Sequence, residues 1–468
     1  MSFVGVGNTY PITSRASRGW IRTASPALPR AISRLPTEPR AGLCRKEGGE
    51  PVRGPQAERF ALGGVVGIVS PQRELPMVAL RLLFPAGSWE DPQGKEGIAY
   101  LTAQLLPEGT KKKSPAEIHE FLDRSGSRFF VETNGDYTMV SFSVLRKDLA
   151  GALELMVELL REPAFLEEEF YRRKQRLLGE IASQEDRPAG LAHRAFLNAL
   201  WGPSGYGHDP RGFKEAVESF QISDVQNHYK NRIQGRRVLL VAVGDVEPEA
   251  FKEGLSQLLE GWPGIEITDN EHLSSKAQEG SRIFIHKELP QATVVMGQRS
   301  VPRAHQDVYA LWVMNHILGG GGFASRLMEE IRSRRGLAYA VSSSLDARMK
   351  GGWFRVGFQT ENRNVPQAVE IALQQAELIR KEPVSPKELG EAKSFLVGSF
   401  PMRLDSLSST AGSLALWELY GLGLNYQQEF TSRIEAVNKE DILRVAWEHL
   451  RPQEWTHVFV GQRDLMGT

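Results

Sequence analysis

Cysteine is almost missing: Cys44 is the one thiol in 468 residues, which excludes an internal disulfide and every multi-cysteine zinc site. Neither sign of charge is in excess, with 57 Lys plus Arg against 57 Asp plus Glu, so no global field favours nucleic acid or an anionic membrane as a partner. No apolar run approaches the roughly 18 to 20 residues that a membrane-spanning helix needs, and no h-region marks a secretory signal. Ten histidines occur, yet none is spaced as H-x-x-E-H or H-E-x-x-H, the two helical zinc patterns of hydrolases.

What is present is the balance of a folded protein. Hydrophobic residues make up 41% and charged residues 24%, enough to bury large cores without disulfides or metals. The length suits two or three domains. Residues 1–56 differ in kind: Ser, Pro, Gly and Arg dominate, the first acid is Glu38, and Pro11, Pro26, Pro29 and Pro36 interrupt any amphipathic helix. They read as a disordered N-terminal extension, or as an over-extended start of the reading frame, rather than as a targeting signal.

Beyond that segment "FALGGVVGIVS" and "PMVALRLLFPAGS" read as two strands, and helical periodicity follows at 97–106 and 114–125. Two more strands, "SRFFVET" and "YTMVSFSVL", flank the turn Asn134-Gly135-Asp136. Helices are predicted at 147–161, 166–185, 188–201 and about 247–260, with a strand in "RRVLLVAVGDV". The polar stretch "GWPGIEITDNEHLSSKAQEGS" reads as a linker. The order then repeats, with strands "RIFIHKE" and "ATVVMGQRS", helices at 306–318 and 323–334, strands "AYAVSSSLDA" and "GGWFRVGFQT", and helices at 365–380 and 386–400. "LELMVELLREPAFLEEEF" is echoed by "LQQAELIRKEPVSPKEL" about 220 residues on, a spacing too long for a solenoid and expected of a duplicated domain. Strands in hairpins and helices in blocks favour an α+β fold over a doubly wound parallel sheet. The domains expected are 57–265 and 281–468, joined by a linker at 266–280. A cleft between the two lobes is the natural place for a ligand.

The run "GIAYLTAQLLPEGT", Gly97 to Thr110, has the frame of an active-site helix but no residue able to do its chemistry. With the duplicated layout, it resembles the M16 family of zinc metallopeptidases (insulinase, pitrilysin and mitochondrial processing peptidase), from about residue 58 to the end. The resemblance implies two homologous M16/LuxS-like metallohydrolase domains, each an antiparallel-rich sheet packed with helices. Active members place H-x-x-E-H on this helix, two His one turn apart to hold zinc and a Glu to take a proton from the zinc-bound water. Here Tyr100 and Gln104 stand at the His positions and Ala103 at the Glu. Glu180 matches the third ligand, but alone it cannot hold a metal, and a helix carboxylate that caps or pairs with a neighbour is the better reading. No metal or other cofactor is expected in this chain.

In the second half, "HILGGGGFASRLMEEIRSRRGLAY" keeps its pattern. Gly319, Gly320, Gly321 and Gly322 must end one helix. The resemblance makes them, with Phe323, a substrate-facing loop of bacterial type. Arg332 and Tyr339, seven apart, match a family pair that reaches toward the zinc centre of the other half, where a phenol stabilises an oxyanion and a guanidinium holds a neighbouring carbonyl. From residue types alone, Arg332 among Arg326, Arg334 and Arg335 reads as part of a solvated charge run, and Tyr339 as half-buried strand packing. Together these features imply a non-catalytic, substrate-binding subunit whose partner is an H-x-x-E-H chain carrying the zinc. Extended peptides would add as a β-strand, with "FRVGFQT" and "TMVSFSV" as candidate edges. The alternative is a purely structural M16-like scaffold. A cytoplasmic location is expected, or a periplasmic one if the true start differs.

Overall fold

The computed structural model describes residues 56–265 and 280–466. Cys44, the expected extension and nearly all of the expected linker lie outside the described residues. The first sheet is built from β1 (Glu58–Leu62), β2 (Val65–Pro71), β3 (Met77–Phe84), β4 (Arg128–Thr133), β5 (Thr138–Leu145) and β6 (Val238–Gly244), in the order β1-β2-β6-β3-β5-β4. Only β2 and β6 pair in parallel. "FALGGVVGIVS" is thus two strands rather than the one expected. Gly63, at φ +56°, lets the chain reverse, and a Cβ on Gly64 would stand 2.0 Å from Gly264 Cα. The helices here are α1 (Ile98–Leu105), α2 (Pro115–Arg124), α3 (Leu149–Arg161), α4 (Glu167–Glu185), α5 (Pro188–Trp201), α6 (Lys214–Ser219), α7 (Ile222–His228) and α8 (Pro248–Leu258).

The second sheet comprises β7 (Arg282–His286), β8 (Gln291–Ser300), β9 (Ala338–Ala347), β10 (Gly352–Glu361) and β11 (Thr456–Gly461), in the order β7-β11-β8-β10-β9. β7 and β11 are its parallel pair. Without β1, the first sheet has the same order, its last strand inserted between its first two, so the duplication read from the sequence extends to topology. Helices α9 (Val308–Asn315), α10 (Val365–Lys381), α11 (Pro386–Ser399), α12 (Leu407–Leu419), α13 (Tyr426–Ala436) and α14 (Lys439–His449) complete this half. The helix expected at 306–318 is helical to Gly320 but changes type, and the one expected at 323–334 is shorter. α9 runs into a π-turn at His316–Gly320, and Met328–Ser333 is a second π-turn.

Both sheets are covered on both faces, which is why their central strands read as continuous apolar runs. One face of the first sheet packs Val78, Leu80, Leu82 and Phe84 against α1, α3 and α4. Its other face is roofed by α12 from the second half, through Ala411, Leu414, Ala415 and Trp417 on Ala79, Leu83 and Val241. Reciprocally, α5 of the first half covers the second sheet, setting Phe196, Leu200 and Trp201 on Val295, Trp353 and Val458. Arg81 ties the exchange: it is 3% exposed and donates from Nη2 to the Ser408 carbonyl at 2.8 Å. A second tie is Asp136, 6% exposed, which accepts from the hydroxyls of Tyr206 and, at 2.8 Å, Tyr420, and from Met349 N–H at 3.3 Å. What was expected as an open cleft is therefore a packed boundary. A pocket remains there, lined among others by Gln184, His193, Arg348 and Trp353.

Two buried histidines set a pH dependence. Burial, aided by nearby arginines, holds the His228 imidazole at about 3 and the His457 imidazole at about 4. Free imidazole titrates near about 6.5. Below that value the unfolded chain takes up protons that the folded chain refuses, so stability is lost as pH falls from about 6.5 toward about 4. Thermal melts should show Tm falling between about pH 7 and about pH 5, with a shallower slope in His457→Phe. An unchanged slope in that variant would mean that the His457 ring is not held neutral.

Candidate functional site

α1 begins at Gly97, whose φ of +102° and close approach to the Arg211 carbonyl, 2.5 Å from an added Cβ, admit only glycine. The Asp91 carboxylate, fully buried, accepts from the N–H groups of Gly97 at 2.7 Å and Ala99 at 3.0 Å, satisfying the helix start. Leu101, Thr102, Ala103 and Leu105 are buried where the helix packs on α4, α7 and β4. The frame is thus a load of core packing that the fold requires whatever chemistry it carries.

At the metal position, the Tyr100 hydroxyl donates to Glu180 Oε2 at 3.2 Å, and Arg176 Nε meets Glu180 Oε1 at 3.2 Å. Burial, and then the Glu180 charge, push the Tyr100 phenol up to about 12, so it stays protonated. Gln104 donates through Nε2 to the Val131 carbonyl at 3.2 Å, and Ala103 is 0% exposed. These residues do not fit a zinc ion. The carboxylate is taken by a phenol and a guanidinium, the carboxamide by backbone, and no imidazole is within the set. Arg176 was not foreseen; one turn before Glu180 on the same helix, it is legible as an i,i+4 pair.

The second-half residues meet on one face. Three of the four arginines are taken by carboxylates: Arg326 by Glu388 at 2.7 Å, Arg334 by Glu330 at 2.6 Å and by Glu329, and Arg335 by Glu330. Arg332 has no carboxylate partner among the described residues. Its guanidinium lies 4.6 Å from the Phe323 ring centroid and 4.7 Å from that of Tyr339, a stacked cation between rings that are 71% and 83% exposed. Neither ring is packed into the core. Phe323 and Arg332 were expected in separate roles; the π-turn that follows Leu327 brings them together, and no spacing rule predicts it.

The glycines are set by close packing. An added Cβ on Gly319 would stand 2.6 Å from Ser343 N on β9, on Gly320 2.6 Å from Asn315 Nδ2, and on Gly321 2.8 Å from the His316 carbonyl. Gly322, at φ +57°, faces open space. β9, the strand that starts beside Tyr339, is an edge of its sheet, as β4 is of the other. The strands expected as edges, "TMVSFSV" and "FRVGFQT", are β5 and β10, and both lie inside their sheets because a neighbour pairs with each side.

Comparison with known proteins matches this architecture in order. A family model described as insulinase (peptidase family M16) matches residues 68–208, and one described as peptidase M16 inactive domain matches 219–396. A Helicobacter pylori protein named non-peptidase homolog YmxG is 25% identical over 83% of this chain and 90% of its own length. A Bacillus subtilis protein named uncharacterized zinc protease YmxG is 25% identical over 78% and 88%. The crystal structure of a peptidase M16 inactive domain from Pseudomonas fluorescens superposes with a TM-score of 0.80 at 26% identity, covering 87% of this chain and 98% of that one. Among the described residues no helix is long and apolar enough to cross a membrane. With both halves matched by models of one family, on a fold shared along nearly the whole of a solved member, the chain belongs to peptidase family M16.

Proposed function

We propose that this chain is the non-catalytic, peptide-binding subunit of a two-chain M16 peptidase, paired with an H-x-x-E-H sister that carries the zinc. The observation that carries the reading is the contrast between the two halves. The metal position is closed by Tyr100, Gln104 and a neutralised Glu180, whereas Arg332 and Tyr339 stand exposed as a stacked pair. The names of the relatives, a non-peptidase homologue and an inactive domain, agree with a chain inactive by itself. In the pair, the Tyr339 hydroxyl would donate to the oxygen of the scissile carbonyl as charge builds there, and Arg332, held by two rings, would orient a neighbouring carbonyl. An extended peptide would add to the edge strand β9, beside Tyr339, by main-chain hydrogen bonds that ask little of its sequence. The glycine packing, by contrast, favours a scaffold role for Gly319, Gly320 and Gly321.

Hydrolysis of a quenched fluorescent peptide by this chain, by the sister and by their mixture tests the reading. Activity is expected in the mixture alone, reduced roughly tenfold or more by Tyr339→Phe, as loss of an oxyanion donor commonly does, and similarly by Arg332→Ala. Mixture activity that ignores both substitutions would leave the structural scaffold, and activity of this chain alone would overturn both.

A further inference from the structure

A set of metal-ligating side chains lies away from the emptied helix, where α9 meets α14. Asp307 is the residue before α9 and His305 stands two residues earlier; His449 ends α14. One nitrogen of each imidazole and one oxygen of the carboxylate all fall within 4.8 Å of one another. His449 Nε2 is 2.8 Å from Asp307 Oδ2 and His305 Nδ1 is 3.9 Å from the same oxygen. Around a four-coordinate zinc ion with ligand bonds near about 2.0–2.1 Å, neighbouring ligand atoms stand about 3.3 Å apart. The two observed separations bracket that spacing and the two ring nitrogens lie within 4.8 Å of one another, so shifts of up to about 1.5 Å close the set around an ion.

His305 Nδ1 accepts from the Asp307 N–H at 3.2 Å and so carries no proton, while His449 Nε2 donates to Asp307 Oδ2 at 2.8 Å; an ion would take the place of that proton and of the long backbone hydrogen bond. Arg444 holds the carboxylate by both oxygens, Nη2 donating to Asp307 Oδ1 at 2.7 Å and Nη1 to Oδ2 at 3.2 Å; an ion at Oδ2 would replace the longer bond and keep Arg444 on Oδ1 as an outer partner that orients the ligand. At the rim, Glu448 Oε2 stands 4.0 Å from His449 Nε2 and accepts from Arg444 Nη1 at 2.9 Å, a bond it would give up to join the set. Asp307 is 7% exposed at its side chain while His305 is 34% and His449 20%, so an ion has an open approach to a largely dry carboxylate.

We infer that His305, Asp307 and His449, with Glu448, form a binding site for a divalent transition-metal ion of the zinc class. Two imidazoles and carboxylate oxygen select borderline ions over calcium or magnesium. The ion would clasp the start of α9 to the end of α14, and so stiffen the helix that runs into the glycine turn behind Phe323. The reading is independent of any role in peptide hydrolysis.

The test uses the full chain, stripped with a chelator, then titrated with zinc chloride by calorimetry and with cobalt(II) as a spectroscopic probe. One ion per chain is expected, with a cobalt spectrum of tetrahedral type and a Tm that rises with added zinc. His305→Ala, at a partly exposed position, and His449→Ala, which leaves Asp307 its Arg444 partner, should each weaken binding by about tenfold or more and abolish the Tm response. Glu180→Gln should change neither. An absence of stoichiometric binding, an affinity indifferent to both histidine variants, or binding lost with Glu180→Gln would each overturn the assignment.

Discussion

Building the family motif into α1, as Tyr100→His, Ala103→Glu and Gln104→His together, is expected to convert a helix without an imidazole into one that binds a zinc ion. The reason lies in what the fold has kept. Glu180 Oε2 is 3.2 Å from the Tyr100 hydroxyl, so the third-ligand carboxylate still faces the first ligand position. Positions 100 and 104 share one face of α1, a turn apart, and two imidazoles with one carboxylate are a complete protein ligand set for a zinc centre with an open place for water. Zinc would also displace Arg176 from Glu180, since a divalent ion outcompetes an exposed guanidinium. Measured in a His305→Ala/His449→Ala background, metal content should rise by one ion per chain, and adding Glu180→Gln should weaken it by roughly tenfold or more. Failure to retain zinc would mean that α1 and α4 no longer stand at ligating distance. Ala103 is 0% exposed, so the glutamate is expected to lower stability by about 1–3 kcal/mol as an overpacked site does.

Asp136→Ala should be the most damaging single change at the boundary between the halves. Its carboxylate gathers two phenols and an amide from three segments, Tyr206, Tyr420 and Met349, and removal strands all three donors in a buried place. Breaking a buried charged partner costs about 3–5 kcal/mol, which corresponds to a fall of about 5–10 °C in Tm for a large domain. Tyr420→Phe alone should cost about 1–2 kcal/mol, and should cost almost nothing once Asp136 is gone, because the two share one interaction. Additive losses in the double variant would show that Tyr420 contributes through packing instead.

Much of this fold was legible because period and punctuation agree. α2 follows Ser114, whose side chain and that of Glu117 form a capping box, and α4, α5 and β9 fall within a residue or two of where the pattern puts them. The residues that escaped are those whose placement depends on distant chain. β6 enters between β2 and β3 from over 150 residues away, so neither its neighbours nor the true edges of the sheets can be read from alternation. The lack of zinc-ligating side chains on α1 was readable residue by residue, since it depends on side-chain type. The Phe323–Arg332–Tyr339 stack and the His305–Asp307–His449 set were not, because π-turns and helix ends that meet in space leave no mark in local spacing.

The mutual roofing by α5 and α12 has a consequence for ancestry and for engineering. Each half lends a helix to its twin and borrows one back, the arrangement of a domain-swapped homodimer whose two subunits have since been tied into one polypeptide. A half produced alone would present a bare apolar sheet and stick to whatever it met. Two halves produced together, cut anywhere in the connecting segment, should find each other and rebuild the whole, as split reporters do.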